Sequence, residues 1–111
     1  MCLALTVFHE SRGEPLKGQY AVAEVVMNRS ADRNLDVCDV VYERKQFSNA
    51  NKWKVPSSFD KSWNKALFIA KYVLDNNNPT NYTNGAKYFR VASLAPKNKQ
   101  VLRIGNHVFY K

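Results

Sequence analysis

The run Asn76-Asn77-Asn78-Pro79 divides this chain into two hydrophobic rhythms. Upstream, apolar residues recur every three or four positions, the period of a helix with one buried face. Leu3, Ala4, Val7 and Phe8 do so near the start, and Leu16, Ala21, Val22, Val25 and Val26 follow, with Gln19, Glu24 and Asn28 placed off that face. Trp63, Ala66, Leu67, Ala70, Val73 and Leu74 repeat the pattern behind a capping Asp60 or Ser62. A short helix through Val37, Val40 and Val41 can begin at Asp36. Downstream of the breaker the rhythm changes. Ala86 to Val91 is β-prone after the turn signal Asn84-Gly85, and residues 100–104 and 107–110 flank Gly105-Asn106, a two-residue hairpin loop. Such a chain is expected to be α+β, mainly helical with a small antiparallel hairpin, in a single domain over residues 1–111.

Composition narrows the function classes. Hydrophobic content of 45% with regular spacing argues against disorder. No run reaches the roughly 18 apolar residues needed to cross a bilayer. The apolar start lacks a basic lead and a small-residue cleavage site, so it reads as a core helix and not a signal peptide. Glycine-rich phosphate loops and a nucleophile elbow are absent, and His9 and His107 are too few for a zinc site unless carboxylates join them, so neither cofactor nor metal is expected. Cys2 and Cys38 read as two free thiols, at least one buried, with a single bridge between them left open.

Charge is strongly polarised. Residues 1–43 carry seven acids and four bases, a balance of −3, whereas residues 44–111 carry thirteen bases against Asp60 and Asp75, a balance of +11. The second region should attract a polyanion, whether nucleic acid, a wall polymer or a lipid surface.

The stretch His9-Glu10-Ser11-Arg12-Gly13-Glu14-Pro15 joins the first two helical segments. Glu10 is placed at or just past a helix C-terminus, with Gly13 available for a left-handed turn. The helix dipole and apolar neighbours would both raise the pKa of Glu10, as a general acid working near neutrality requires. The competing reading makes Glu10 an exposed cap residue and Glu14 a favourable charge at the next helix N-terminus.

These residues also resemble a known family. Glu10-Ser11-Arg12-Gly13-Glu14-Pro15, Gly18-Gln19, Ala21-Val22-Ala23, Val25-Val26 and Asn28-Arg29 are similar to the opening of SleB-like cell-wall hydrolases, which include spore-cortex lytic enzymes and related phage endolysins. The likeness runs on through Cys38, Val40-Val41-Tyr42, Gln46-Phe47-Ser48, Asn84-Gly85-Ala86, Tyr88-Phe89 and residues 105–110, with His9 where many members have glycine. It implies a lysozyme-like fold that cleaves the β-1,4 bond between N-acetylmuramic acid and N-acetylglucosamine. Glu10 would be the catalytic acid of a lytic transglycosylase leaving 1,6-anhydro-muramic ends, with a hydrolytic muramidase as the alternative outcome. Glu14, Gln46, Phe47, Ser48, Tyr88, His107 and Tyr110 are the implied substrate-facing set. Glu14 is further expected to orient the motif by pairing with Arg12 or holding backbone donors. Implied partners are peptidoglycan glycan strands and anionic wall or envelope polymers, bound by a monomer without nucleic acid or stable membrane insertion. With no separate wall-binding repeat in view, affinity would come from the catalytic domain. The small format suggests an endolysin held in the host cytoplasm until lysis. The reading from a different class is a basic nucleic-acid-binding module, resting on charge and on Arg90 beside Tyr88 and Phe89.

Overall fold

The computed structural model describes residues 1–43, 50–97 and 102–111. Four helices precede three strands: α1 (Cys2–Ser11), α2 (Leu16–Arg33), α3 (Val37–Val41), α4 (Lys61–Asp75), β1 (Tyr88–Val91), β2 (Leu102–Ile104) and β3 (His107–Tyr110). The strands form one antiparallel sheet in the order β1-β3-β2, so the expected hairpin gains a third strand from the segment after Asn84-Gly85. Helix α4 starts where the Asp60 side chain accepts the Trp63 amide, 3.0 Å away, and ends at the asparagine run, where Asn77 and Asn78 take positive φ. In the β2-β3 turn Gly105 has a φ of +60° and Asn106 does not turn positive, the pattern of a type II′ hairpin.

Helix α2 is the spine of the molecule. Ala23 and Val26 join a core made by α1, α3 and α4, while Ala21, Val22 and Val25 join a second core with Ala86, Ile104 and Phe109 of the sheet region. A helix packed on two sides has little outward face left, and this overturns two assignments. Gln19 and Glu24, expected off the buried face, are both buried. Glu24 accepts four hydrogen bonds, from Thr80 Oγ1 (2.6 Å), the Tyr82 amide (2.8 Å), the Thr83 amide (3.1 Å) and Thr83 Oγ1 (2.8 Å). One turn on, Asn28 donates to the Ala86 carbonyl and accepts from Asn78. The segment between α4 and β1 is thus laced to α2 by polar groups, since burying a carboxylate is tolerable only when its lone pairs are satisfied.

Cys2 and Cys38 form a disulfide, which corrects the reading of two free thiols. Neither is a buried hydrophobe: Cys2 is half-buried and Cys38 exposed. The bridge fastens the N-terminal end of α1 to α3 across 36 positions of sequence. Spacing could not reveal it, because the approach of α3 to α1 is a tertiary event. Gly13 does not use the left-handed region, unlike Gly85 and Gly105, and a Cβ there would meet nothing. The chain leaves α1 through Arg12, still in right-handed geometry, so the motif needs no special backbone at Gly13.

Candidate active site

Helix α1 buries Leu3 to Phe8, and its buried polar members are satisfied internally: Thr6 and Ser11 donate to the carbonyls of Cys2 and Val7. Glu10 follows one turn after Thr6, half-buried in the last turn. Its carboxyl carries no hydrogen bond or ion pair among the described residues. Burial alone pushes its pKa above the ordinary glutamate value. That is the environment of a carboxylic acid kept protonated to higher pH than usual, with no cation holding it ionised.

The remaining acids differ. Glu24 is enclosed by its four donors. Asp32 pairs with Lys87, Glu43 with Arg33, and Asp75 with Lys71, while Asp60 caps α4. Asp36 and Asp39 flank Cys38, whose Cα is 5.3 Å from that of Cys2 at the opposite end of α1. Eight residues of helix separate Cys2 from Glu10, about 12 Å of rise.

Glu14 is held by the hairpin turn. Its Oε1 accepts the Asn106 amide at 2.8 Å and its Oε2 accepts Asn106 Nδ2 at 3.1 Å. A Cβ on Gly105 would lie 2.6 Å from Glu14 Oε1 and 2.8 Å from Pro15 Cδ, so only glycine fits there. Gln19 Nε2 donates to the Glu14 carbonyl, and the Glu14 amide donates to the Ser11 carbonyl. Glu14 therefore holds a backbone donor and does not pair with Arg12, whose guanidinium lies over the Phe8 ring, 5.1 Å from its centroid.

His107 is brought to Glu14 but stops 3.8 Å short, with its buried Nδ1 unpartnered. Burial pushes the imidazole pKa down, against the opposing pull of Glu14. The strand register divides the rest of the expected set. His107 shares a sheet face with Phe89 and Phe109, while Tyr88 and Tyr110 pair directly across the other face and stack at 5.6 Å. Tyr110 is buried and Tyr88 exposed. Gln46, Phe47 and Ser48 lie outside the described residues.

Two side chains next to this site escaped sequence reasoning. Arg29 is buried with its guanidinium 5.2 Å from the Tyr88 ring centroid, and burial lowers its pKa. His9 stacks on Trp53 at 5.1 Å, and its Nε2 lies 3.1 Å from the Lys54 carbonyl, docking the segment before α4 against the end of α1. Neither left a local signal in the sequence, because each depends on a segment distant in the chain, Tyr88 for Arg29 and Trp53-Lys54 for His9.

The cell wall hydrolase family profile matches residues 13–110. This chain belongs to that family. Curated relatives include spore cortex-lytic enzymes of Bacillus cereus, 33% identical over 98% of this chain, and of Halalkalibacterium halodurans, 31% identical over 96%. The chain spans 42% and 33% of those two relatives' lengths. Among solved structures, the catalytic domain of the germination-specific lytic transglycosylase SleB from Bacillus anthracis superposes with a TM-score of 0.75 at 32% identity, covering 99% of this chain and 91% of that one. The catalytic domain of Bacillus cereus SleB gives 0.74 at 31%, covering 98% and 86%. The fold is thus that of the SleB catalytic domain, and membership of the family decides for an enzyme over a nucleic-acid-binding module.

Proposed function

We propose that this cell wall hydrolase cleaves the β-1,4 bond between N-acetylmuramic acid and N-acetylglucosamine in peptidoglycan, by lytic transglycosylation with Glu10 as the acid. The observation that carries the reading is the isolation of Glu10. It alone among the nine acids combines a pKa raised by burial with a carboxyl free of partners among the described residues. In the proposed sequence, protonated Glu10 gives its proton to the bridging oxygen as the bond to muramic C1 breaks. The resulting carboxylate then accepts the proton of the muramic C6 hydroxyl as that oxygen closes on C1. One carboxyl serves both steps, and the product keeps a 1,6-anhydro ring.

Hydrolysis by the two-carboxylate route places a second acid about 5–9.5 Å from the first. Both oxygens of Glu14 already accept from Asn106, and Asp36 and Asp39 lie toward the far end of α1, which favours the single-acid route. The proposed setting is the bacterial envelope. An endolysin reaching the wall after synthesis in a host would acquire its Cys2–Cys38 bridge on leaving the reducing cytoplasm, since such bonds persist in oxidising compartments. Mass spectrometry of muropeptides released from purified walls tests the chemistry. Anhydro-muramic ends are expected, 18 mass units below the reducing ends that hydrolysis would leave (about one water), and reducing ends alone would reject transglycosylation.

A further inference from the structure

Besides Glu10 the molecule carries an aromatic surface that the proposed chemistry does not use. Tyr20 of α2 meets Tyr72 of α4 edge-on at 6.0 Å and Tyr82 edge-on at 6.4 Å. Tyr72 and Tyr82 remain 42% and 40% exposed, and no hydroxyl of the three bonds to another described residue. The Lys17 ammonium lies 5.3 Å from the Tyr82 centroid. Along α4, Phe68 (65% exposed) and Lys65 precede Tyr72 at spacings of four and seven, extending the same side of the helix. The result is a track of four rings with a cation at each end, about 10 Å long on α4 alone and continued by Tyr20, Tyr82 and Lys17.

The track is firmly mounted. Tyr82 belongs to the segment whose amides and hydroxyls enclose the buried Glu24 carboxylate, so the most heavily hydrogen-bonded acid among the described residues holds an exposed ring in place. On α4 the track runs away from the acid, while Lys17 and Tyr20 open α2 directly after the Glu10–Glu14 motif. Phe8, near the Glu10 end of α1, packs on Trp63 in the first turn of α4, and Tyr72 lies nine residues further along, about 13 Å of helix.

We infer that the Lys65–Phe68–Tyr72–Tyr20–Tyr82–Lys17 track is a second binding surface for peptidoglycan, holding a glycan strand and its stem peptides away from the bond being cut. Its chemistry selects this occupant. The apolar faces of pyranose rings pack on aromatic rings, sugar hydroxyls and N-acetyl groups can bond to the unpartnered tyrosine hydroxyls, and the lysines match stem-peptide carboxylates. Three polar-tipped tyrosines suit a hydrated polymer better than a protein core or a lipid tail. The inference rests on peptidoglycan being the substrate, but it does not depend on how the bond is broken.

The test is co-sedimentation of cleavage-deficient Glu10→Gln protein with insoluble purified peptidoglycan from which other anionic polymers have been stripped. Tyr72→Ala/Tyr82→Ala on that background should weaken binding at least fivefold, and Lys17→Glu/Lys65→Glu at least threefold, each with a thermal melt confirming the fold. All four residues are exposed, and the Tyr82 amide to Glu24 survives substitution. Unchanged binding by the tyrosine variant overturns the proposal. So does a loss confined to the lysine variant, which would reduce the contact to diffuse charge, or a loss seen only on vesicles containing anionic phospholipid, which would make the track a membrane surface. If Glu10→Gln still cleaves, the catalytic assignment falls while the binding comparison stands.

Discussion

Glu14 and Asn106, 92 positions apart in sequence, are joined by two hydrogen bonds that use both carboxylate oxygens. The tie binds the loop after Glu10 to the turn of the β-hairpin, making the acid-bearing motif and the sheet one rigid unit. Glu14→Ala should lower stability by about 1–3 kcal/mol, the range for losing charge-assisted bonds at a partly hydrated site. Asn106→Ala should cost less, and the double variant should fall short of the sum, because both changes remove one interaction. Denaturant unfolding of the four proteins measures this coupling. Additive losses would mean that the two residues act independently.

Gly105→Ala should be worse than its size suggests. The added methyl meets Glu14 and Pro15, and the positive φ disfavours any side chain. A loss of at least about 2 kcal/mol is expected by the same assay. Gly13→Ala, where a Cβ meets nothing and φ is ordinary, should be neutral or slightly stabilising.

Burial of Glu10 links activity and stability to pH. Because its folded pKa lies above the unfolded value of about 4.5, the folded protein holds that proton more tightly. Activity should fall as pH rises through the raised pKa, on a limb displaced upward from that of an ordinary carboxylate. Stability should decline over the window from 4.5 to the raised value, where the unfolded chain has already lost the proton. Glu10→Gln should therefore remove at least 100-fold of activity, as loss of a general acid does, yet match or exceed the parent's melting temperature at neutral pH. Below pH 4 that advantage should vanish (about half a unit under the ordinary glutamate value). An alkaline limb at the ordinary carboxylate position, or a destabilised Glu10→Gln, would sink the acid assignment.

Glu24→Gln turns one acceptor oxygen into a donor facing donors. A loss of about 2–4 kcal/mol is expected, since two of the four donors, either both of Thr83 or the Thr80 hydroxyl with the Tyr82 amide, would lose their acceptor in a buried site. Calorimetry reads the loss directly. A change within 0.5 kcal/mol, the size of an ordinary surface substitution (about ±0.5), would mean that water replaces the carboxylate without penalty.

Local rules made much of this fold legible. The asparagine-proline run ended α4, Asp60 capped it, and Gly105-Asn106 turned the hairpin, because each of those signals acts within a few residues. What stayed hidden depends on which elements meet. Glu24 and Gln19 read as outward because the helical period marks one apolar face, whereas α2 is enclosed by two cores. The disulfide needed α3 to fold back onto α1, and the Glu14–Asn106 tie needed the sheet to dock on the motif. At the site, spacing put Glu10 at a helix end, while its freedom from partners depends on elements that meet only in the fold. The division of His107 from Tyr88 and Tyr110 was set by a strand register that no local pattern specifies.

Reducing the Cys2–Cys38 bond, or replacing both residues with serine, should cost about 3–4 kcal/mol if the link acts chiefly by shrinking the unfolded ensemble. Melting with and without a thiol reductant measures it. An unchanged midpoint would assign the bridge no part in stability.

The same bond also determines what a protease can separate. Residues 3–37, containing nearly all of α1, the Glu10–Glu14 motif and the whole of α2, lie inside one covalent ring. A single cut anywhere in that stretch opens the ring but leaves the two pieces joined, so Glu10 and α2 stay on one molecule. The sheet has no such tether. A cut between α4 and β1 detaches all three strands at once, leaving non-covalent contacts alone to keep them in place: the core that α2 shares with Ala86, Ile104 and Phe109, the polar lacing to α2 and the Glu14 clasp.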